Sequence, residues 1–329
     1  MENTKAKSTR NSLILLLTAT IWGMAFVSQS KGMDYMHPFT FNGVRSLIGA
    51  AGILVYILIS RKIAGAKAAP IDWKVNVKAG LLCGVSLTVA STLQQFGIKY
   101  TSVGKAGFIT TLYIIFVPLF GIFLKKKVAP VVWAAAVMAA VGMYLLCMTE
   151  SLRLGTGDIM VFLCAIAFAI QIMTIDHYAG KIDGAIVSCI QFTVCGIVCC
   201  IGALIWGQPT FGQLYEGLGA LLYAGVLSCG VGYTLQIVGQ QGLNPTVAAL
   251  IMSLESVIAT ISGWIAYKIG FLSTDQTLTP RQIAGCAIVF AAVILVQLPP
   301  EWFRSGKRKS AKQASGMMYN STSKCRDCP

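Results

Sequence analysis

The chain has 329 residues, of which 56% are hydrophobic and only 12% are charged. Soluble globular domains carry about 25% charged residues, so this composition excludes a soluble fold. The 26 Lys and Arg residues outnumber the 12 Asp and Glu residues, giving a formal net charge of +14 that alone is compatible with nucleic-acid binding.

Ten apolar runs follow one another along the chain. A run of about 20 residues crosses a hydrocarbon core roughly 30 Å thick as an α-helix, so we predict an all-α polytopic membrane protein with about ten transmembrane helices. The first run follows Lys5, Lys7 and Arg10 but has no small-x-small cleavage site after it, so we predict a retained helix rather than a signal peptide. The predicted spans are 12–31, 39–60, 78–98, 103–124, 130–148, 157–177, 185–206, 217–239, 246–267 and 282–298.

The basic residues predict the orientation of these helices. Most of them lie in segments that the alternation of spans places on one side of the membrane, together with both termini. By the positive-inside rule that side is the cytoplasmic side of the cell membrane, which agrees with an even number of spans. The net charge is then explained by topology and by contact with anionic lipid headgroups, and nucleic acid is not expected as a partner. The opposite side holds Lys31, Lys99, Arg153, Lys268 and Arg281.

The second half of the chain repeats the first. Shifts of 142 and 146 residues superpose similar residues in the same order. Each half then holds five spans, and since five is odd, the second half enters the membrane from the opposite face, which predicts an inverted-topology repeat typical of secondary transporters. The superposed positions are Trp22 with Phe168 and Arg45 with Gln191 at a shift of 146, and Gln94 with Gln236 and 106–109 with 248–251 at a shift of 142.

The same division predicts four segments: a cytoplasmic N-terminal segment 1–11, a first repeat 12–148, a second repeat 157–298 and a basic cytoplasmic tail 299–329. The tail is predicted to be disordered because it is rich in Lys, Ser and Gly and has too few apolar residues to form a core. Its Cys325 and Cys328 have the spacing of a metal or redox site, but the sequence holds no second such pair and only two histidines. We therefore predict no metal site and no cofactor.

Ionisable residues in the predicted spans are candidates for function, because charge at membrane depth is costly. Arg45, Lys105 and Glu255 stand inside their spans, and Asp158, Asp176 and His177 lie at span ends. Glu255 lies near the middle of its span and is too short to reach the interface. It is a proton or cation site, or it is held by a fixed hydrogen bond or by an ion pair with Arg45 or Lys105. Arg45 binds a carboxylate cargo, caps carbonyl groups or extends to the interface. Lys105 extends to the interface or belongs to a pathway.

Uncharged polar residues inside the spans are more numerous than stable helices need, which favours a cavity lined by polar groups. The aromatic residues among them stack on a cargo or fill space. The predicted substrate pathway consists of Trp22, Gln29, Asn42, Arg45, Gln94, Lys105, Thr111, Tyr113, Gln171, Gln191, Gln236 and Glu255. Further residues of the same kind are Gln95, Thr110, Tyr233, Gln240 and Trp264.

Four stretches of the sequence are similar to known transporters. They are ATIWGMAFV, FNGVRSLIGA, KYTSVGKAGFITTLYIIFVPLFG and LNPTVAALIMSLESVIATISGW. Together they resemble the EamA branch of the drug/metabolite transporter superfamily, over essentially residues 12–298. The resemblance implies two inverted five-helix EamA repeats around a central cavity, and Arg45 and Glu255 match positions that recur in that family. The family often has Pro where Ser256 stands, so the resemblance implies no proline kink at this position of the chain.

These observations predict a secondary transporter of the cell membrane that exports a small metabolite, such as an amino acid, by alternating access. The export direction is what the family resemblance implies. An alternative is a membrane scaffold or accessory protein without its own cargo. An enzyme is not expected, because the sequence has no HExxH, GxSxG or P-loop motif. The expected partners are a small-molecule substrate and the lipid bilayer, and the prediction allows a homodimer.

Overall fold

A computed structural model describes residues 2–65, 70–125, 130–147, 155–273 and 277–297. Within these ranges all regular secondary structure is helical. The predicted tail, with its Cys325 and Cys328, lies outside the described residues.

The helices occur where the apolar runs predict them. Eight helices or helix groups are long and apolar enough to cross a membrane, and they coincide with eight of the ten predicted spans. Two shorter apolar helices, at 130–142 and 280–295, lie at the fifth and tenth predicted spans. The predicted all-α membrane class with about ten transmembrane helices is confirmed.

The first half contains six helices. Pro38 opens the second helix at a position where its missing N–H is not needed, and the ring of His37 accepts a hydrogen bond from Phe39 N. The carboxylate of Asp72 caps the third helix by accepting from Val75 N at 3.1 Å. The helices are α1 (Glu2–Gly32), α2 (Pro38–Ala64), α3 (Trp73–Ile98), α4 (Val103–Thr111), α5 (Tyr113–Phe123) and α6 (Pro130–Cys147).

The second half contains eight helices and two π-helical segments. The π-helical segments are Ala203–Gly207 and Tyr223–Gly232, and the second of them interrupts the eighth predicted span. The helices are α7 (Thr156–Tyr178), α8 (Gly184–Gly202), α9 (Phe211–Glu216), α10 (Leu218–Leu222), α11 (Tyr233–Gln240), α12 (Pro245–Met252), α13 (Leu254–Lys268) and α14 (Pro280–Gln297).

Residues that the repeat superposes have equivalent roles in the two halves. His37 caps α2 and Asp183, 146 residues later, caps α8. Ser102 caps α4 and Asn244, 142 residues later, caps α12. The repeat found in the sequence is therefore also a repeat of local structure.

The packing of the helices relates the two halves by an approximate two-fold axis. α2 packs against α8 and α6 packs against α14, so each of these helices contacts its own counterpart. α3 packs against α7, and the counterpart contact, between α11 and α1, is also present. The predicted architecture of two five-helix repeats of opposite orientation is confirmed.

The fourth and ninth predicted spans are each broken into two helices at equivalent places. α4 ends at Thr111, whose hydroxyl donates to Phe108 O at 2.8 Å. α12 ends just before Ser253, whose hydroxyl donates to Leu250 O at 2.7 Å. Each hydroxyl satisfies a carbonyl group in the distorted turn, as buried backbone groups require. Thr111 was predicted to line a pathway, but its hydroxyl stabilises the break in the fourth span. Ser256 lies in the first turn after the break in the ninth span, so this break forms without a proline at that position.

Glycines let the repeats approach closely at equivalent positions. A methyl group on Gly97 would overlap with Val161 Cγ2 and would lie 2.8 Å from Gly157 O. A methyl group on Gly239, the counterpart of Gly97, would lie 2.8 Å from Leu15 Cδ2. These contacts hold α3 against α7 and α11 against α1, respectively.

Gly97→Ala is expected to lower the free energy of unfolding by about 1–3 kcal/mol, because a methyl group has no space there. The control is Gly52→Ala on the exposed face of α2, where nothing lies within 4 Å and the gain in helix propensity is about 0.5–1 kcal/mol. Thermal unfolding in detergent of both variants measures the difference. Equal melting temperatures would contradict the close α3–α7 contact.

Candidate functional site

A cavity lies between the two halves. The space open to the centre of a water-sized sphere is about 30 Å³, which is enough for two or three water molecules. Its lining combines five aromatic side chains, two of them tyrosines, with four glutamine amides, one threonine, one serine and one carboxyl group. The lining residues are Trp22, Ala25, Phe26, Gln29, Gln94, Thr110, Tyr113, Phe168, Gln171, Ile172, Ser228, Tyr233, Gln236 and Glu255.

Most of this lining consists of pairs of residues that the repeat superposes. Five pairs account for ten of the fourteen residues, so the approximate two-fold axis passes through the cavity. The pairs are Trp22 with Phe168, Ala25 with Gln171, and Phe26 with Ile172 at a shift of 146, and Gln94 with Gln236 and Tyr113 with Glu255 at a shift of 142.

Tyr113 and Glu255 meet across this axis. The Tyr113 hydroxyl donates to Glu255 Oε1 at 2.9 Å. Tyr113 begins α5 and Glu255 is the second residue of α13, so each follows directly on the broken turn of its span. Glu255 is 3% exposed. Discontinuous helices that meet at the interface of inverted repeats form the substrate sites of many transporters.

Of the alternatives left open for Glu255, the described residues show the hydrogen bond and no ion pair. The ion pairs among them are Lys31 with Asp34 and Lys105 with Asp158. Neither Arg45 nor Lys105 therefore neutralises Glu255, and the hydrogen bond from Tyr113 supplies its one described polar contact.

Glutamine side chains form a chain of hydrogen bonds along one wall. Gln236 Nε2 donates to Gln171 Oε1 at 3.5 Å, and Gln171 Nε2 donates to Gln191 Oε1 at 3.2 Å. Gln191 lies behind the lining and holds Gln171 in place. In the first half Gln94 Nε2 donates to Thr110 Oγ1 at 3.1 Å. The buried oxygens Oε1 of Gln29 and of Gln236 have no hydrogen-bond donor.

Aromatic rings close the remaining sides. The ring centroids of Trp22 and Tyr233 lie 4.5 Å apart at an interplanar angle of 52°. Trp22 Nε1 donates to Ser228 O at 3.4 Å, which fixes the indole ring against the second π-helical segment. Phe192 packs edge-on against Tyr233 from behind, with centroids 5.0 Å apart. The walls are therefore mainly aromatic faces and amide groups.

The family model described as the EamA-like transporter family matches residues 10–148 and, a second time, residues 155–298. The chain belongs to the EamA-like transporter family. The resemblance seen in the sequence is confirmed, and the two matches correspond to the two halves that share the cavity.

Known proteins similar to this EamA-like chain are also transporters by name. An uncharacterized transporter of Archaeoglobus fulgidus is 28% identical over 86% of this chain and 84% of its own length. The uncharacterized transporter YwfM of Bacillus subtilis is 26% identical over 92% of this chain and 97% of its own length. A protein crystal structure has the same fold, with a TM-score of 0.67 at 16% identity, covering 88% of this chain and 96% of that one. The chain is therefore a multi-pass membrane transporter.

The structure brings together seven of the twelve predicted pathway residues of this EamA-like transporter and puts the other five elsewhere. The seven in the cavity are Trp22, Gln29, Gln94, Tyr113, Gln171, Gln236 and Glu255. The five outside its lining are Asn42, Arg45, Lys105, Thr111 and Gln191.

Arg45 and Asn42 lie outside the cavity because no residue of α2 is among those that line it. Arg45 is 5% exposed, its guanidinium group lies 5.4 Å from the centre of the Phe41 ring, and its Nε has no hydrogen-bond partner. Asn42 donates from Nδ2 to Ser91 O at 2.8 Å and so ties α2 to α3. Arg45 therefore does not line this cavity, and its predicted role in binding a carboxylate cargo stays a prediction.

Lys105 is held in an ion pair at one end of the bundle. Its Nζ lies 2.6 Å from Asp158 Oδ2, and Asp158 also accepts from Thr101 Oγ1 and Gly155 N, each at 2.9 Å. The pair joins the start of α4 in the first half to the start of α7 in the second. Lys105 does not line the cavity, and its predicted extension to the interface stays a prediction.

Five lining residues were not predicted, and helical periodicity is the signal that finds most of them. On α1, Ala25 and Phe26 complete an i, i+3, i+4, i+7 face with Trp22 and Gln29. On α7, Phe168 and Ile172 complete the equivalent face with Gln171. Ser228, in a π-helical segment, has no such signal.

Proposed function

We propose that this EamA-like transporter is a secondary transporter of the cell membrane, not an enzyme, and that it exports a small metabolite, such as an amino acid, by alternating access. Both termini lie in the cytoplasm in this proposal, because the basic segments accumulate on that side. The supporting observation is that five pairs of superposed residues line one cavity. Inverted repeats around a shared site can exchange conformations, which exposes the site to either side in turn.

The small size of the cavity supports a closed conformation that must open to load cargo. A space of about 30 Å³ holds a few water molecules and no amino acid. At one end the Lys105–Asp158 pair joins the halves. At the other end Asn11 Nδ2 donates to Gln241 O at 2.7 Å. Because different contacts close the two ends, the free energy needed to open one end differs from that needed to open the other.

Counterflow in proteoliposomes tests alternating access. Vesicles that hold the purified chain and an excess of an unlabelled cargo are expected to accumulate the labelled cargo transiently against its concentration gradient. Candidate cargoes come from thermal stabilisation of the protein by a panel of amino acids, nucleosides, sugars and organic cations. Flux without counterflow would indicate a channel. Absence of both binding and flux across the panel would favour a scaffold without its own cargo.

A further inference from the structure

We infer that the cavity selects a cargo that carries a protonated amine and no carboxylate, with Glu255 as its counter-charge. This inference rests on the proposed transport function and, within the class of small metabolites, replaces the free amino acid by amines without a carboxylate. Glu255 is the one Asp or Glu in the lining, and the lining contains no Lys, Arg or His. An ionised carboxylate at this depth is costly without a cation, and a bound ammonium group supplies that cation.

The hydrogen-bonding groups left over in the lining favour a donor. Gln29 and Gln236 each present a buried Oε1 without a donor. An ammonium group has up to three N–H donors and no acceptor, so it matches two amide oxygens and one carboxylate. Several donors of the lining are already engaged, since Tyr113 binds Glu255 and Trp22 binds Ser228 O.

The aromatic walls favour the same class of cargo. Trp22, Phe26, Tyr113, Phe168 and Tyr233 line the same cavity as the Glu255 carboxyl group. Aromatic faces attract ammonium groups through the negative charge of their π-systems, most strongly where water is excluded. A carboxylate meets the reverse situation, because the same faces repel it.

The basic residues that would bind a carboxylate are placed elsewhere. Lys105 is paired with Asp158, and Arg45 lies behind the lining beside Phe41. A zwitterionic amino acid would therefore bring a carboxylate into a cavity whose lining holds no positive charge for it. An amine, or an amino-acid ester or amide of similar shape, carries no carboxylate and avoids this cost.

Ligands of one shape and different charge test this. In mildly acidic buffer 2-phenylethylamine and phenylalanine methyl ester are cations, 2-phenylethanol is neutral, phenylalanine is a zwitterion and 3-phenylpropanoate is an anion. A parallel series uses butylamine, norvaline methyl ester, butanol, norvaline and pentanoate. Thermal stabilisation and Trp fluorescence of the purified chain measure binding. The amine and ester are expected to bind at least about tenfold more tightly than the other three in one series or both.

Two variants identify the group responsible. Glu255→Gln is expected to remove the preference for the amine over the alcohol, and Arg45→Gln is expected to leave that preference in place. Equal binding of amine and alcohol, or no binding of an amine in either series, overturns the inference. The inference is also overturned if the zwitterion or the anion binds more tightly than the amine and if Arg45→Gln abolishes that binding. Counterflow of phenylalanine or norvaline in that case would preserve the transport proposal and refute only the cargo class.

Discussion

Glu255→Gln is expected to lower the initial rate of transport by about 10- to 100-fold and to remove its dependence on a pH gradient. Glutamine keeps the volume of the side chain and an oxygen that accepts from the Tyr113 hydroxyl. It cannot carry the charge that a bound cation neutralises, and it has no proton to exchange for cargo. Initial rates in proteoliposomes, with and without a pH gradient, measure both effects.

The control for this variant is Tyr113→Phe. It removes the 2.9 Å hydrogen bond to Glu255 but leaves the carboxyl group and the aromatic ring. We expect the activation free energy of transport to rise by about 1 kcal/mol, which lowers the initial rate about fivefold. The dependence of the rate on the pH gradient should be retained. The other titratable groups that interact with Glu255 are Cys164 and Tyr233, which both variants leave unchanged. Transport by Glu255→Gln with an unaltered pH dependence would rule out proton coupling at this residue.

The helices of this transporter could be predicted from the sequence because their signals are local. Apolar runs gave the ten spans, and capping residues such as Asp72, Ser102 and Asn244 stand where α3, α4 and α12 begin. The repeat also follows from the sequence, since a fixed shift relates similar residues. The breaks after Thr111 and Met252 were not predicted, because a distorted turn that a hydroxyl group stabilises has no strong sequence signal.

The site was predictable only in part because lining a cavity depends on which face of which helix points inward. Gln94 and Gln236 are matched by the repeat and both line it. Arg45 on α2 and Gln191 on α8 are matched equally well but lie outside it. The shift of 142 or 146 residues identifies which residues are counterparts. It does not show whether they lie near the approximate two-fold axis that passes through the cavity.

Lys105 illustrates the other limit, because its partner is 53 residues away in the other half. Within the sequence Asp158 stands at the end of a span, where an acidic residue needs no special explanation. Only the packing of α4 against α7 brings the two residues together. A contact of this kind between the halves cannot be inferred from either span alone.

Lys105→Met is expected to lower the free energy of unfolding by about 3 kcal/mol, the lower part of the range for breaking a buried ion pair. The Asp158 side chain is 4% exposed and would lose its cation. The Lys105 side chain is 21% exposed, so solvent screens the ion pair only in part. Unfolding of the purified chain in mixed micelles with increasing denaturing detergent measures the change. Lys31→Met is the control, because it breaks a pair with Asp34, which is 54% exposed, and should cost less than about 1 kcal/mol.

The double variant Lys105→Met with Asp158→Asn separates the ion pair from general packing. Removing both charges leaves no unpaired carboxylate in the interface between α4 and α7, so the double variant is expected to be more stable than Lys105→Met alone. Asparagine keeps an oxygen that can accept from Thr101 Oγ1 or Gly155 N, the two groups that donate to Asp158. If the two substitutions instead add their separate costs, the pair does not couple the halves, and the closure of this end must come from apolar packing around Val103 and Ala106.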